Sequence, residues 1–374
     1  MPAKPRGFKP TWTTTCMNPP NTFLHNRLLY LYGQLGHLFD AQNLFDKMPR
    51  RDIFSYNLML SAYSKQGHSK NLWDCFNSMP FHDSVSFNTM ISALSSGGCD
   101  DKALAVFVRM LRERIKPTEY TYASVLTVCS QLLNGRIGKV VHAKIVVGDL
   151  ARNVFVSNAL IDFYAKCGDI DKARLLFDNV NDRNLVSWNL MISGYYKNEQ
   201  PEECIKFFHE MKASGLKLDQ YTVSNVVAAF FQIGCVNEAN KTFREIKEKD
   251  KVCRTTMIVG CGKSGLEEDA LVLFAEMLSE NVRPDDITFS SVISSCAKFA
   301  SLYHGQMVHG KAVHVGIDGD LLVSSALIDM YSKCGEPTYA WIVFNTMPVK
   351  NVISWNSMIL GYAQNGKDLE ALGL

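Results

Sequence analysis

The chain has 374 residues, of which 47% are hydrophobic, so it contains ample material for a hydrophobic core. Its 39 basic residues nearly balance its 37 acidic ones, so the overall charge does not by itself indicate a nucleic-acid or membrane partner. The 11 cysteines are scattered and never form C-x-x-C, which argues against a disulfide framework, a zinc site or another metal site. No uncharged run reaches the roughly 18 apolar residues that a membrane-spanning helix needs.

The amino-terminal segment, residues 1–21, differs from the rest of the chain. No Asp or Glu occurs before Asp40, whereas Lys4, Arg6 and Lys9 are basic. An acid-poor basic leader is typical of organelle import, so residues 1–21 are interpreted as a leader that forms part of a transit peptide. The segment has several prolines and no Ser, and an unstructured polar terminus would explain it as well.

A face of small and aromatic residues returns at regular intervals along the rest of the chain. Ala173, Phe177 and Val180 follow Ile170 at offsets of three, seven and ten, which is one face of a helix. The aromatic member returns as Phe45, Phe76, Phe107, Phe208, Phe243, Phe274 and Phe344. Counting from these anchors divides residues 22–374 into ten repeats and a truncated eleventh, at intervals of 31 or 35 residues. Each repeat is named here by its first residue: 22, 53, 84, 119, 154, 185, 220, 251, 286, 321 and 352.

Each repeat has the pattern of two helices joined by a turn. In repeat 154 the stretch "YAKCG" ends the first helix, with Gly168 at the left-handed position that follows it. The same phrase returns as "YSKCG" at 331–335, which is 167 residues later. One helical hairpin cannot bury its own apolar face, so the hairpins are expected to stack. The sequence therefore predicts an all-α fold, an α-solenoid superhelix of helix-turn-helix repeats.

Repeats 119 and 286 depart from the common pattern in the same way. They carry Gly138 and His142 in "GKVVHAKIV", and Gly305 and His309 in "GQMVHGKAV", where other repeats have the small and aromatic anchors. These two repeats are also 167 residues apart. The chain thus contains a higher-order period of five repeats.

The repeat lengths and three stretches of sequence resemble the plant pentatricopeptide repeat family. The stretches are "SWNLMISGYYKNEQPEECIKFFHEM" (187–211), "YAKCGDIDKARLLF" (164–177) and "GKVVHA" (138–143). Mixed lengths with the Gly-x-x-x-His variant resemble its PLS subfamily, here without the C-terminal E/DYW extension. The resemblance implies sequence-specific binding of single-stranded RNA inside mitochondria or plastids, and we favour the mitochondrion over the chloroplast. It also implies a role as specificity factor in C-to-U RNA editing.

The second residue of every repeat is apolar or aromatic, and such a row could stack on unpaired bases. The alternative is that these are core residues between repeats. By resemblance, the stacking residues are Phe23, Phe54, Val85, Phe155, Val186, Tyr221, Val252, Leu322 and Ile353. Tyr120 and Ile287 occupy the same place in repeats 119 and 286.

The fifth and last residues of each repeat are the expected base-selecting pair. Asp at the last position offers only acceptors and suits the N–H of guanine or uracil, whereas Asn can donate to adenine or cytosine. By resemblance, Asn at the fifth position goes with pyrimidines and Ser or Thr with purines. Capping or bracing of neighbouring helices is the alternative role for these polar side chains. The pairs are Asn26/Asp52, Asn57/Asp83, Asn88/Thr118, Asn158/Asn184, Asn189/Asp219, Ser224/Asp250, Thr255/Asp285 and Ser325/Asn351, with Asn356 alone in repeat 352.

Because the family's repeats run parallel to RNA, these pairs predict a target near 5′-UUYNYUGGNAY-3′, where Y is a pyrimidine and N is unspecified. The base preferences of repeats 84, 119 and 286 are left open. The alternative function is a protein-binding helical scaffold of the tetratricopeptide type, in which the same polar positions would be structural.

Enzymatic signals are weak. "GCGKSG" at 260–265 resembles a phosphate-binding loop, but the leading Gly of that motif falls at Met257. The deaminase appended to many PLS proteins needs H-x-E and C-x-x-C to hold zinc, and neither occurs here. We therefore expect no enzymatic activity and no cofactor, with any deaminase supplied in trans by a partner or by a missing C-terminal domain. Since repeat 352 stops short of its aromatic anchor, the chain is interpreted as a truncated form of a longer protein.

Overall fold

The computed structural model describes residues 22–374, and the predicted leader at residues 1–21 lies outside them. The described residues form 22 α-helices and no strand. In chain order they are α1 Thr22–Leu35, α2 Leu38–Lys47, α3 Ile53–Lys65, α4 Ser69–Ser78, α5 Ser84–Ser96, α6 Asp100–Arg112, α7 Glu119–Gln131, α8 Gly135–Val147, α9 Val154–Lys166, α10 Ile170–Asp178, α11 Leu185–Lys197, α12 Pro201–Ala213, α13 Gln220–Gln232, α14 Val236–Glu245, α15 Lys251–Lys263, α16 Glu267–Ser279, α17 Asp286–Lys298, α18 Leu302–Val315, α19 Leu321–Lys333, α20 Pro337–Thr346, α21 Val352–Gln364 and α22 Asp368–Leu372.

The second helix accounts for the two repeat lengths. First helices from α3 onward all have 13 residues, whereas second helices have 9 or 10 residues in the 31-residue repeats and 13 or 14 in the 35-residue repeats. The difference is about one helical turn of 3.6 residues. A long repeat is therefore a short repeat with one extra turn on its second helix.

The predicted packing face is buried. Ala41, Phe45 and Met48 are 0%, 6% and 5% exposed, and Ala173 and Phe177 are 0% and 1% exposed. Small residues let the paired helices approach, while the aromatic ring fills the space between them. The prediction of an all-α fold of helical hairpins is confirmed.

Four of the five short repeats end their second helix with Arg or Lys over the anchoring aromatic ring. The Arg51 guanidinium lies 4.6 Å from the centre of the Phe45 ring, and its Nε donates to the Phe45 carbonyl at 2.9 Å. Arg183 repeats both contacts on Phe177, at 4.8 and 3.2 Å. Lys350 lies 5.2 Å from the Phe344 ring. These cations donate to, or lie near, the carbonyl groups at the C-terminal end of the helix, where the last four carbonyls lack helical partners and the helix dipole is negative.

A left-handed residue ends the first helix of every described repeat. Gly168 has φ +83°, as the sequence predicts, and glycine accepts this conformation without a Cβ clash. Three repeats place another residue type there: Leu133, Glu199 and Ala300, with φ of 49°, 58° and 48°. The residue types at those three positions do not predict a left-handed turn.

The helices group into two compact bodies. The N-terminal body takes in the chain up to Asp169 together with Asp178–Val180, and the C-terminal body takes in Ile170–Phe177 and Asn181–Leu374. Within the N-terminal body, α1, α3, α5, α7 and α9 pack side by side in that order. Within the C-terminal body, α11, α13, α15, α17, α19 and α21 do the same. None of the helices between residues 22 and 374 combines the length and apolar character needed to cross a membrane.

Candidate nucleic-acid interface

The second residues of the repeats form an apolar row that solvent reaches. Their exposure runs from 48% at Leu322 to 67% at Phe23, so about half of each side chain is available to a ligand. Tyr120 and Phe155 contact each other, with ring centroids 5.5 Å apart. That spacing leaves no room for a base between the two rings.

The fifth and last residues of repeat 22 are hydrogen-bonded to each other. Asn26 Nδ2 donates to Asp52 Oδ1 at 3.2 Å, and Ser55 from the next repeat donates through its hydroxyl to Asn26 Oδ1 at 2.7 Å. Asp52 also caps α3, because its Oδ1 accepts from the Ser55 backbone N–H at 2.8 Å. Burial acts to raise the pKa of Asp52, but the hydrogen bonds from Ser55 and Asn26 outweigh it, and the pKa is lowered. The carboxylate therefore remains an acceptor at neutral pH.

The same pairing recurs in three further repeats with Asn at the fifth position. Asn57 Nδ2 lies 3.2 Å from both carboxylate oxygens of Asp83, and Asn189 Nδ2 donates to Asp219 Oδ2 at 2.7 Å. In repeat 84 the acceptor is the Thr118 hydroxyl, 3.0 Å from Asn88 Nδ2. These four repeats thus bring the predicted base-selecting residues together.

The fifth residues are more deeply buried than a simple contact with a base requires. Asn26, Asn158 and Asn189 are 5%, 9% and 8% exposed. Packing of adjacent first helices covers them, and the more exposed last residue lies in front. A base would therefore meet the last residue first and reach only the outer edge of the fifth.

In the C-terminal body, repeats 220 and 251 line one cavity of about 640 Å³. It brings together residues predicted to stack on bases and residues predicted to select them: Tyr221, Val252, Ser224, Thr255 and Asp285. Ile287, the second residue of repeat 286, lines the same cavity. Repeats 220 and 251 are the two repeats predicted to read guanine.

Asp285, the last residue of repeat 251, lines this cavity and is held by several contacts. Its Oδ1 accepts from the Thr288 hydroxyl at 2.7 Å and from the Thr288 N–H at 3.0 Å, and Lys251 Nζ lies 3.1 Å from its other oxygen. Burial acts to raise the pKa of Asp285, but these hydrogen bonds and the charge of Lys251 lower it overall. Thr255 Oγ1 lies 2.8 Å from Thr288 Oγ1.

In repeat 321, no direct hydrogen bond joins the predicted pair Ser325 and Asn351, unlike the pair in repeat 22. Ser325 donates to the Leu321 carbonyl of its own helix at 2.7 Å, and Asn351 Oδ1 accepts from the Ser354 N–H at 2.9 Å. Asn184 likewise caps its helix through Ser187 at 3.0 Å. Asn356 lies exposed on α21.

Repeats 119 and 286 lack the paired arrangement. Their fifth residues are Ala123, which is buried, and Ser290, which donates to the Ile287 carbonyl at 3.1 Å. Their last residues, Asn153 and Asp320, have ψ of 118° and 141°, whereas Asp52 has ψ of 173°. Each of the two side chains accepts from the second and third backbone N–H groups of its own helix, whereas Asp52 accepts only from the third.

The Gly-x-x-x-His variant makes a brace to the following repeat. His142 Nδ1 lies 2.9 Å from the Tyr164 hydroxyl, and His309 Nδ1 lies 2.8 Å from that of Tyr331. Burial lowers the pKa of His309, so its imidazole is neutral at pH 7. Gly138 lets the Phe163 ring approach, since a Cβ there would fall 2.0 Å from a ring carbon.

Sequence inspection missed a set of lysines near the end of the first helices. The thirteenth residue is an exposed lysine in six repeats: Lys65, Lys166, Lys197, Lys263, Lys298 and Lys333. Lys263 lines the cavity described above. Aligning the repeats at this position would have found them, but lysine in a last helical turn is ordinarily explained by the helix dipole.

Two models of one repeat family match the chain. The PPR repeat family model matches residues 82–131, 183–232 and 249–298. The PPR repeat model matches residues 23–53, 54–83, 155–185, 221–250, 323–352 and 353–374.

Curated relatives come from Arabidopsis thaliana. A chloroplastic pentatricopeptide repeat-containing protein is 31% identical over 389 residues, which cover 95% of this chain and 58% of the relative. A mitochondrial one is 34% identical over 277 residues, covering 74% of this chain and 27% of the relative. The chain therefore spans only part of the length of these relatives.

Solved structures share the fold. The crystal structure of the pentatricopeptide repeat protein PPR10 from maize superposes with a TM-score of 0.72 at 18% identity, over 95% of this chain and 58% of that one. The structure of PPR10 in complex with an 18-nt psaJ RNA element superposes with a TM-score of 0.61 at 19% identity, over 95% of this chain and 63% of that one.

Proposed function

Because the chain belongs to the pentatricopeptide repeat family, we propose that it binds single-stranded RNA along its first helices, with one base for each reading repeat. The observation that carries the proposal is the cavity of the C-terminal body, where exposed apolar side chains stand beside the polar residues of two consecutive repeats. Apolar platforms with adjacent hydrogen-bonding groups are what an unpaired base needs. The structure of PPR10 with an RNA element supports the same use of this fold.

The exposed lysines supply the charge that the overall composition does not. Lys166 and Lys333 each carry an acidic neighbour on the same helix, Asp162 and Asp329, at 2.7 Å. Such exposed pairs are weak, so the lysine can turn to a phosphate at little cost. The six lysines occupy the same position in six of the eleven repeats, so each can meet the phosphate of the nucleotide at its own repeat.

The proposed target is 5′-UUYNYUGGNAY-3′, and the two adjacent guanines test it. They face the Ser224/Asp250 and Thr255/Asp285 pairs, whose carboxylates accept from guanine N1–H. Changing both to adenine should weaken binding by about 1–3 kcal/mol for each base, measured by fluorescence anisotropy at fixed salt. Changing instead the two N bases, which face repeats 119 and 286, is the matched control and should leave the affinity unchanged. Equal affinity for the GG and AA oligonucleotides would contradict the proposed target.

Asp285→Asn tests the pairing rule at one base. Because the pKa of Asp285 is lowered, its carboxylate accepts hydrogen bonds throughout the neutral range. Asn can donate to adenine N1, so the preference at the eighth base should move from G toward A by about tenfold. Asp286→Asn, the next residue along, removes the same charge outside the pair and should keep the preference for G. A variant at Asp285 that still prefers G by the wild-type ratio would refute the rule.

The finer role that we propose is that of a specificity factor for C-to-U editing, with the deaminase brought by a partner. Support comes from the mixed repeat lengths and the Gly-x-x-x-His variant, which resemble the PLS subfamily. Curated relatives are named chloroplastic or mitochondrial, which supports an organelle as the place of action, and we propose the mitochondrion. Sequencing organellar transcripts from plants without the gene should reveal one or more cytidines that are no longer converted, downstream of a match to the target. Unchanged C-to-U editing at every such match would contradict the proposed role as a specificity factor.

A further inference from the structure

A hydroxyl from the following repeat lies behind the base-selecting pair. In the N-terminal body, Ser55 Oγ lies 2.7 Å from Asn26 Oδ1 and Thr121 Oγ1 lies 2.6 Å from Asn88 Oδ1. In the C-terminal body, Thr222 Oγ1 makes the same contact with Asn189 Oδ1. All three hydroxyls belong to the third residue of the next repeat.

Charge and hydrogen-bonding capacity limit where the protons at this triad can lie. Asp219 is a carboxylate and cannot donate, so the Asn189 atom 2.7 Å from its Oδ2 must be the amide nitrogen. The amide oxygen then faces the Thr222 hydroxyl and needs a donor. Asp219 Oδ1, which accepts from the Thr222 backbone N–H at 2.7 Å, also lies 2.7 Å from that hydroxyl and competes for its proton. When the hydroxyl donates to the amide oxygen, an N–H is the group that Asn189 can offer to a ligand.

Helix capping explains only part of what the hydroxyl does. Ser55 and Thr121 complete capping boxes, in which their hydroxyls accept from the backbone N–H of Asp52 and Thr118 at 3.3 and 2.9 Å. An accepting hydroxyl still has its proton to donate, and Cys253 caps through its backbone N–H to Asp250 at 2.8 Å without a hydroxyl. In repeats 119 and 286, whose fifth residues are Ala123 and Ser290, the third residue of the following repeat is Val156 or Val323. The two repeats that lack the paired arrangement are thus also followed by a valine in place of the hydroxyl.

One repeat shows the pair without this contact. The Ser86 hydroxyl donates to the Asp83 carbonyl at 2.8 Å, and Asn57 Oδ1 is left buried without a partner. Its amide nitrogen still contacts both oxygens of Asp83. Repeat 53 therefore has the same pair as repeats 22, 84 and 185 but lacks the hydroxyl contact to the amide oxygen.

We propose that the third residue of each following repeat is a positioning residue for base selection, acting by hydrogen-bonding the amide oxygen of the preceding repeat's fifth residue. This inference rests on the proposed RNA binding. With the hydroxyl present, the amide presents only its donor to the base. Without it, the amide oxygen is free to accept as well, so both donor and acceptor base edges fit and discrimination falls. Recognition at one base is then a property of three residues from two repeats.

Reciprocal substitutions in the two bodies test the proposal. Thr222→Val removes one hydroxyl at nearly constant shape behind Asn189, which faces the sixth base, and Ser55→Ala does so behind Asn26, which faces the first. For each protein the ratio of Kd for C against U is measured at both bases by fluorescence anisotropy. We expect Thr222→Val to lower the ratio about three- to tenfold at the sixth base alone, and Ser55→Ala to do the same at the first base alone. Thr222→Ser should restore the wild-type ratio.

Thr346→Val is the matched control, since Thr346 bonds only to carbonyls of its own helix α20. It should change neither ratio. Unchanged ratios in both hydroxyl variants, or an equal fall at both bases in either one, would overturn the positioning role. If the wild-type protein shows no preference between C and U at either base, the proposed base recognition is contradicted, and this inference with it.

Discussion

Gly138 lies on α8 with the Phe163 ring of α9 directly against it. A Cβ at this position would fall 2.0 Å from one ring carbon and 2.3 Å from another. A phenyl ring has no flexible end that can move aside, and a packed core resists added volume. The glycine of the Gly-x-x-x-His variant is therefore a steric requirement of this contact.

Gly138→Ala should consequently lower the free energy of unfolding by about 1–3 kcal/mol. Gly305→Ala should cost less, because its Cβ meets the thioether end of Met330, which can rotate. Gly310→Ala on α18 is the control: nothing lies within 4 Å of its Cβ, so helix propensity should make it neutral or stabilising. Urea denaturation at constant m-value measures all three. Equal midpoints for the Gly138 and Gly310 variants would contradict the packing explanation.

Individual side-chain contacts were harder to predict from the sequence than helices and turns. The fifth and last residues could be singled out because polar types vary there while the anchors do not. The hydroxyls at the third position, such as Ser55 and Thr222, repeat just as regularly but look like ordinary helix caps. Only the distances to the preceding repeat separate a cap from a contact with Asn26 or Asn189.

Helices and turns were far more predictable, because each element carries a local signal. The small and aromatic anchors have helical spacing, and Gly168 has the residue type that a left-handed turn favours. Alternate helices begin at residues 22, 53, 84 and so on to 352, the residues from which the repeats were counted. The turns at Leu133, Glu199 and Ala300 are the exceptions, since only their place in the period marks them.

Leu133→Gly should stabilise the hairpin of α7 and α8. A left-handed conformation costs a residue with Cβ roughly 1–2 kcal/mol, and glycine escapes this but loses more chain entropy on folding. We expect a net gain of about 1 kcal/mol in the free energy of unfolding. Leu132→Gly, with φ −79° at the neighbouring position, is the matched control and should destabilise. A loss of stability in the Leu133 variant would mean that its side-chain packing outweighs the backbone strain.

The whole molecule has a net charge of only +2, yet six of its lysines occupy the same position of their repeats. Binding to a nucleic acid releases counterions from each neutralised phosphate, so affinity falls as salt rises. Composition alone could not reveal these lysines, because the acidic residues of the chain cancel their charge in the sum.

Replacing Lys65, Lys166 and Lys333 together with Gln should make RNA binding less salt-dependent. Each lost phosphate contact reduces the slope of log Kobs against log salt by about 0.7 for single strands, so the triple variant should be shallower by about 2. Lys47, Lys241 and Lys311 lie on second helices, and their triple replacement by Gln removes the same charge as a control. Identical slopes for the two triple variants would show that the lysines of the first helices hold no phosphate.

The braces at His142 and His309 make the five-repeat block a module that can be cut out. Removing residues 154–320 would join Asn153 to Leu321, so that Gly138 faces Met330 and His142 faces Tyr331, the partners that Gly305 and His309 already accept. The same splice used in reverse would insert a second block and place Gly305 against Phe163, the ring that Gly138 already accepts. A gene built this way can lengthen or shorten its recognised sequence by five positions in one recombination event, while each new junction combines two faces that the protein already contains.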